Sequence, residues 1–308
     1  GLRGLMAQAG VDPPSFECVK NVRDLSSVNN SPVRPGRVLR AACIATASPQ
    51  DERQILDTVK TLVDLRSEQE YSGDMIKYNS SIFNEYDTLF YKVKKTKSGR
   101  TESLVPQLNN PTTNTRTRHL LSVIDEGIYK RGVFKKLGFK KKLKAGIYMG
   151  VSMVKARKVF LDYINAAGLP LLNELILDYG GASIKAVLDV LADRSAHPVA
   201  FYCTAGKDRT GLIAMLVLSS LGVDDESIIT DYVISDSVYA DLNDKDAMVG
   251  ALQQQQLDPE RFLRAPRSVM EATMVLLRDE YGGPEAYMDR IGFGAKDRER
   301  LREALCDQ

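Results

Sequence analysis

Residues 199–222 read VAFYCTAGKDRTGLIAMLVLSSLG, and no other stretch narrows the architecture as far. VAFY is a short apolar run without alternation, the pattern of a strand covered on both faces. LIAMLVLSSLG is an apolar helix that Gly222 closes. Between them lies a loop of small and charged residues. A loop that joins a buried strand to a helix N-terminus presents unpaired backbone N–H groups and the positive end of the helix dipole, so it is a ready anion site. Gly206 allows tight curvature there, and the small Ala205 leaves the backbone accessible to a ligand.

The side chains of this loop suit phosphate. Arg209 can clamp two phosphate oxygens with its planar fork. Cys203, at the start of the loop, would sit in concentrated positive potential, the condition that favours a reactive thiolate. Thr210 is placed to cap the helix or to hydrogen-bond the sulfur. The competing reading is a buried thiol beside an ordinary turn. It requires the central Gly, the Arg six positions after the Cys and the following Thr-Gly to coincide by chance. Cys18 and Cys43 lack the spacing, since Asp24 and Pro49 occupy the corresponding places.

Around this centre the chain reads as early strands and late helices. VRDL, RVLRAACIA, TLVDLRS and YDTLFYKV have the composition of short strands. Ser48 and Pro49 open a helix as cap and first residue. Helical spacing returns after His119, is weakened by Gly132 and Gly138, and resolves over 152–193 into two helices parted near AAGLP. Residues 94–118 are polar and aperiodic and read as a mobile loop. The fold class expected is therefore α/β: one domain over 1–308, a central sheet flanked by helices, and a helical and basic insertion at 94–150.

Charge is unevenly spread. Between Lys92 and Lys144 fifteen Lys or Arg face Glu102, Asp125 and Glu126, a local balance of +12 on a chain whose net charge is +2. Such a segment is either a solvated face or an attractor for a polyanion such as anionic lipid or a phosphorylated substrate. A nucleic-acid partner is disfavoured, because the chain has no Trp and no regular aromatic interleaving. Four widely spaced cysteines and no export-like opening segment suit a reducing, cytoplasmic setting, with peripheral membrane contact through 92–144 as an option.

The loop resembles the signature loop of cysteine-dependent phosphatases. AGKDRTG is most similar to the tyrosine-phosphatase family of bacterial and fungal proteins with dual or triple specificity, which act on phosphoproteins and phosphoinositides. NVRDL, VRPGRVLRAA, LVDLRSEQE, GVDDESIITDYVIS and YGGPEAYMDRIGF follow in the order of that family's landmarks. The resemblance implies a phosphatase-like α/β fold with Cys203 as nucleophile and Arg209 as clamp. Thr204, Ala205, Gly206, Lys207 and Thr210 join the phosphate-binding set. It implies a phosphocysteine intermediate that water hydrolyses. This chemistry runs without metal or cofactor, and none is expected.

Many relatives have His before the Cys, where this chain has Tyr202, which bears on how well the loop and its anion are held. For the general acid, Asp208 matches a position used in the family. Asp64 lies at a strand end where ligands gather, or else pairs with Arg66 or Arg23. Asp162 is a remote third. Lys207 adds positive charge at the mouth, which would favour headgroups with several phosphates, or else pairs with a neighbouring acid. In the family, helices inserted near the site act as a lid, and residues 119–150 would serve so or else lie against an anionic membrane. The alternatives to an active phosphatase on phosphotyrosine, phosphoserine or phosphothreonine proteins or phosphoinositides are a silent phosphate-binding module and an inositol (pyro)phosphate phosphatase. His197 reads as structural.

Overall fold

Val199–Tyr202 (β7) is a strand buried along its whole length, as its unbroken apolar run predicts. In the computed structural model, which describes residues 16–78, 80–95, 102–108, 115–124, 126–240 and 258–306, β7 lies inside a seven-stranded sheet. Its partners are β1 (Arg23–Asp24), β2 (Val38–Ala41), β3 (Thr61–Asp64), β4 (Asp87–Lys95), β5 (Glu102–Leu108) and β6 (Thr117–Leu120), in the order β1-β2-β7-β3-β6-β4-β5. The five inner strands run parallel. β1 and β5 pair antiparallel at the edges. Ala41, Tyr202 and Asp64 are level in the register, so the carboxyl ends of β2, β7 and β3 open at one side of the sheet.

The helices follow as α1 (Pro49–Thr58), α2 (Glu68–Tyr71), α3 (Asp74–Tyr78), α4 (Glu126–Lys136), α5 (Phe139–Val151), α6 (Met153–Tyr179), α7 (Gly181–Leu191), α8 (Asp208–Ser220), α9 (Asp225–Ala240), α10 (Pro259–Leu263), α11 (Arg267–Tyr281), α12 (Pro284–Arg290) and α13 (Ala295–Cys306). Successive residues of β7 point to opposite faces, and each face has its own core. Val199 and Phe201 join the larger cluster, with Val187 and Leu188 of α7, Leu212 and Leu216 of α8, Leu175 of α6 and Leu305 of α13. Ala200 and Tyr202 join the smaller one, with Leu39, Ile55, Val59, Leu62 and Tyr86. Burial of these side chains at about 1.5–3 kcal/mol each is what holds helices to both faces.

Local signals explain several boundaries. Ser48 caps α1 in a reciprocal capping box with Asp51, behind Pro49. Gly138 separates α4 from α5. Gly168, at φ 61° and ψ −151°, divides α6 just before Pro170, where the sequence places the break at AAGLP. At Gly132 a Cβ would lie 2.6 Å from Leu175 Cδ2, so the glycine that weakens the helical pattern is where α4 closes on α6.

The reading of 94–150 as an insertion is corrected. Part of β4 and all of β5 fall within it, and β6 is an inner strand between β3 and β4. Residues 119–124 accordingly belong to the sheet and core and are not lid helices. The segment TRHL has one aliphatic residue in four, and its strand survives burial because Arg118 pairs with Asp64 at 2.7 Å. Residues 96–101 and 109–114 of the expected mobile loop lie outside the described residues.

Asp51 does more than cap α1. Its fully buried carboxylate also accepts the N–H groups of Glu17 (2.7 Å), Cys18 (2.8 Å) and Val19 (3.0 Å), fixing the chain just before Asn21. Burial pushes its carboxyl up, but the backbone donors outweigh it and the net shift is downward. A folded-state value below the unfolded one gives stability that is complete above the ordinary Asp value of about 4 and fades as pH falls below it. Asp51→Ala leaves these amides unpaired and should cost about 2–4 kcal/mol in urea unfolding at pH 7. The difference between variant and wild type should shrink toward pH 2.

Candidate active site

The level strand ends bring three chain exits together: Cys43 after β2, Arg66 after β3 and Cys203 after β7. Cys203 is buried at the foot of the loop that climbs to α8. The loop's shape is set by where its carbonyls are held. Thr204 O accepts the Cys43 N–H (3.2 Å). Ala205 O accepts Asn21 Nδ2 (3.1 Å). Gly206 O accepts Asn21 Nδ2 (2.8 Å) and Arg40 Nη2 (2.9 Å). In a planar trans peptide each N–H stands opposite its C=O. The N–H groups of Ala205, Gly206 and Lys207 therefore turn together to the other side, which is the donor concavity of an anion nest.

Gly206 has φ +64°, and a Cβ there would stand 2.5 Å from Ala41 O and 2.6 Å from Ala42 N. Curvature is thus only half of the reason for this glycine. The other half is that the loop rests directly on the β2 backbone.

Asn21 and Arg40 are themselves held by charge. Arg23 Nε donates to Asp231 of α9 at 2.6 Å, and Arg40 pairs with the other oxygen of the same carboxylate. Arg23 also donates to Asn21 Oδ1 and to Ser235 Oγ. Burial raises the Asp231 carboxyl, but the two arginines overcome it and hold it below the usual range. Burial and the neighbouring Arg23 charge bring Arg40 down to about 10. NVRDL and VRPGRVLRAA hold these residues, but nothing local in them marks the roles. An Asn and two Arg in otherwise strand-like stretches were the available signal.

Arg209 is oriented by a residue that the sequence did not single out. Glu70, on α2, accepts Arg209 Nη1 (2.7 Å) and Nη2 (2.6 Å), and also the Thr204 hydroxyl (2.6 Å) and the Ser67 N–H (2.9 Å). Burial pushes the Glu70 carboxyl up, but Arg209, Thr204 and Ser67 together bring it down to about 2. Glu70 occupies the end of the guanidinium, and a guanidinium carries a second donor pair along its Nε edge for an anion.

The remaining candidates separate clearly. Asp64 is corrected as a general acid. It is fully buried and bound by Arg66 (2.8 Å), Arg118 (2.7 Å) and the Tyr202 hydroxyl (3.0 Å). Burial raises its carboxyl, but Arg66 and Arg118 reverse that and hold it ionised, with no proton to give. Its alternative reading as the partner of Arg66 is the observed one. Lys207 is corrected too. Its ammonium turns inward to Phe262 O (2.6 Å) and Arg264 O (2.8 Å) and adds no charge at the mouth.

Asp208 opens α8, with Oδ1 3.4 Å from the Tyr232 hydroxyl and Oδ2 3.7 Å from Lys207 Nζ. Thr210 is fully buried, and its Oγ1 has no hydrogen-bond partner among the described residues. Tyr202 faces the smaller core, away from Cys203, and reaches Asp64. Cys43 stands beside the loop through its backbone. Burial pushes its thiol up to about 11, against the pull of Arg66, whose Nη1 lies 3.1 Å from the sulfur. His197 bridges Arg37 O and Leu191 O, and Asp162 pairs with Lys158 on the surface.

Two substitutions test this geometry. Gly206→Ala should abolish binding of inorganic phosphate or vanadate, read by isothermal titration, because either the φ or the contact with Ala41 must give. Glu70→Gln keeps the shape but loses the ionic clamp. It should weaken anion binding on the order of tenfold, with the protein still folded by circular dichroism.

A family model described as the tyrosine phosphatase family matches residues 14–144 and 150–307. The chain is 31% identical over 168 residues to a tyrosine-protein phosphatase of Nostoc commune, covering 51% of this chain and 57% of that protein. It is 36% identical over 138 residues to the triple specificity protein phosphatase PtpB of Mycobacterium tuberculosis, covering 40% of this chain and 48% of that one. The chain thus spans about half the length of the curated relatives it matches.

Proposed function

The chain belongs to the tyrosine phosphatase family, and on that premise we propose that it hydrolyses phosphomonoesters through a phosphocysteine intermediate. The observation that carries this is the arrangement of three consecutive carbonyls drawn to one side of the loop above Cys203, with Arg209 fixed beside it. A phosphoryl group in the nest would meet the N–H groups of Ala205, Gly206 and Lys207 and the Nε edge of Arg209. Its phosphorus would then stand over the sulfur.

In the first step the Cys203 thiolate attacks phosphorus in line with the ester oxygen. The S–P bond forms as the P–O bond breaks, and the leaving oxygen takes a proton from Asp208. In the second step water attacks phosphorus and passes a proton to Asp208. The S–P bond breaks as the new P–O bond forms, releasing inorganic phosphate and the thiolate. Charge in the loose transition state is spread over the equatorial oxygens, so donors already aimed at them stabilise it without reorganising. The Thr210 hydroxyl, buried without a partner among the described residues, would be available to the sulfur when it leaves as an anion.

Phosphotyrosine proteins are the first substrate class to test. The name of the Mycobacterium tuberculosis relative is the reason to include phosphoserine and phosphothreonine. Phosphoinositides and inositol phosphates remain a second class, supported by the basic surface and no longer by Lys207. A silent binding module rested on Tyr202 alone. That side chain lies on the opposite face of the sheet from the sulfur and bonds Asp64, which favours the active reading.

Phosphate release should be followed on phosphotyrosine, phosphoserine and phosphothreonine peptides and on phosphoinositides. Cys203→Ser should abolish turnover on all of them. Asp208→Asn should slow alkyl phosphates by about 10²–10⁴-fold. It should slow p-nitrophenyl phosphate much less, because that leaving group needs little protonation. Turnover that survives Cys203→Ser overturns the cysteine mechanism. Phosphate binding without any turnover in the wild type returns the silent module.

A further inference from the structure

Between Glu126 and Asp162 the chain carries eleven Lys or Arg and no acidic residue. Helix α5 lies within this stretch and packs on α6. Its inner face is marked by Ala145, which is fully buried. The opposite face repeats an apolar residue every fourth position: Phe139, Leu143, Ile147 and Val151 are 81, 56, 59 and 76% exposed. At 1.5 Å per residue this stripe is about 18 Å long. It continues at the turn into α6 with Met153 and Val154, 70 and 79% exposed. Lys140 and Lys144 run beside the stripe, and Lys155 and Arg157 follow the turn, all exposed.

An apolar row of this length standing in water is unfavourable unless something covers it. The charge pattern chooses the cover. A second copy of the same face would bring the two sets of lysines together with no acidic residue between 127 and 161 to meet them. A membrane span is too long for it: α5 has 13 residues, about 20 Å, against a hydrocarbon core of about 30 Å. Among the described residues no helix is long and apolar enough to cross a membrane. What remains is a surface that is apolar inside and negative at its face. We propose that the exposed face of the α5–α6 hairpin docks on an anionic bilayer.

In this arrangement α5 lies along the headgroup boundary, with Phe139, Leu143, Ile147 and Val151 turned to the acyl chains and Lys140 and Lys144 on acidic headgroups. Val151, Met153 and Val154 form the leading tip. The surface overlaps the membrane contact that the sequence suggested for 92–144 and 119–150 but extends past residue 150, and its apolar stripe does as much as its charge. None of these side chains belongs to the cradle or its supports, so the inference stands apart from the catalytic reading.

Co-sedimentation with vesicles of phosphatidylcholine alone, and with about 30 mol% phosphatidylserine, tests it. Binding to the anionic vesicles should exceed binding to neutral ones by about tenfold and should weaken as salt is added. The double substitution Leu143→Glu and Ile147→Glu should remove that excess with an unchanged thermal unfolding curve. Lys140→Glu with Lys144→Glu should reduce it. The chain has no Trp, so Leu143→Trp gives a single Trp, excited apart from the tyrosines, whose emission should shift to the blue with anionic vesicles and stay put with neutral ones. Equal binding to both vesicles, binding to neither, or an unshifted Trp overturns the proposal. So does a dimer in sedimentation equilibrium that Leu143→Glu dissolves, which would make a second copy the cover.

Discussion

A peptide chain can offer a cluster of N–H groups to an anion only if the matching carbonyls are drawn away together, and carbonyls do not turn from a partner unless another is supplied. Here the partners for Thr204, Ala205 and Gly206 come from the Cys43 amide, from Asn21 and from Arg40. Arg40 in turn would be an uncompensated buried charge without Asp231, which α9 delivers. Removing one member of such a buried pair typically costs about 3–5 kcal/mol. The order of strands follows from the same need. β2 must lie beside β7, and β1 beside β2, for Arg40 and the Asn21 that precedes β1 to reach beneath the loop, and the two pairings put them there.

Two carboxylates near the site show how surroundings assign roles. Asp64 and Glu70 are only six residues apart, and both are held ionised by arginine. Asp64 is enclosed by Arg66, Arg118 and Tyr202, and so knits the ends of β3, β6 and β7. Glu70 sits a turn further out, where its arginine is the one beside the anion nest. The first is architecture. The second aims Arg209.

The strand–loop–helix around Cys203 was legible because its signals are local: an apolar run, small residues, then an apolar helix. The break at Gly168 and the cap at Ser48 were legible for the same reason. What escaped depends on distant partners. β6 is polar in sequence and becomes a strand through Arg118 and Asp64, 54 positions apart. Lys207 looks exposed in a loop, yet carbonyls of 262 and 264 draw it inward. Asp64 at a strand end resembles a catalytic acid until three partners close around it. Glu70 has a local mark only for capping, in its box with Ser67, and its second role appears when the fold sets Arg209 beside it.

The contact of Gly206 with the backbone of Ala41 has a thermodynamic consequence. A phosphate loop that floated free would have to surrender conformational entropy each time an anion arrived, at roughly 1–2 kcal/mol for every residue it ordered. This loop surrendered that freedom when the sheet formed, because it leans on a strand that cannot move without breaking the ladder. An anion entering this loop would therefore meet donors that are already ordered, with little ordering left to oppose it. The enthalpy and entropy of phosphate binding should resemble those of a rigid receptor.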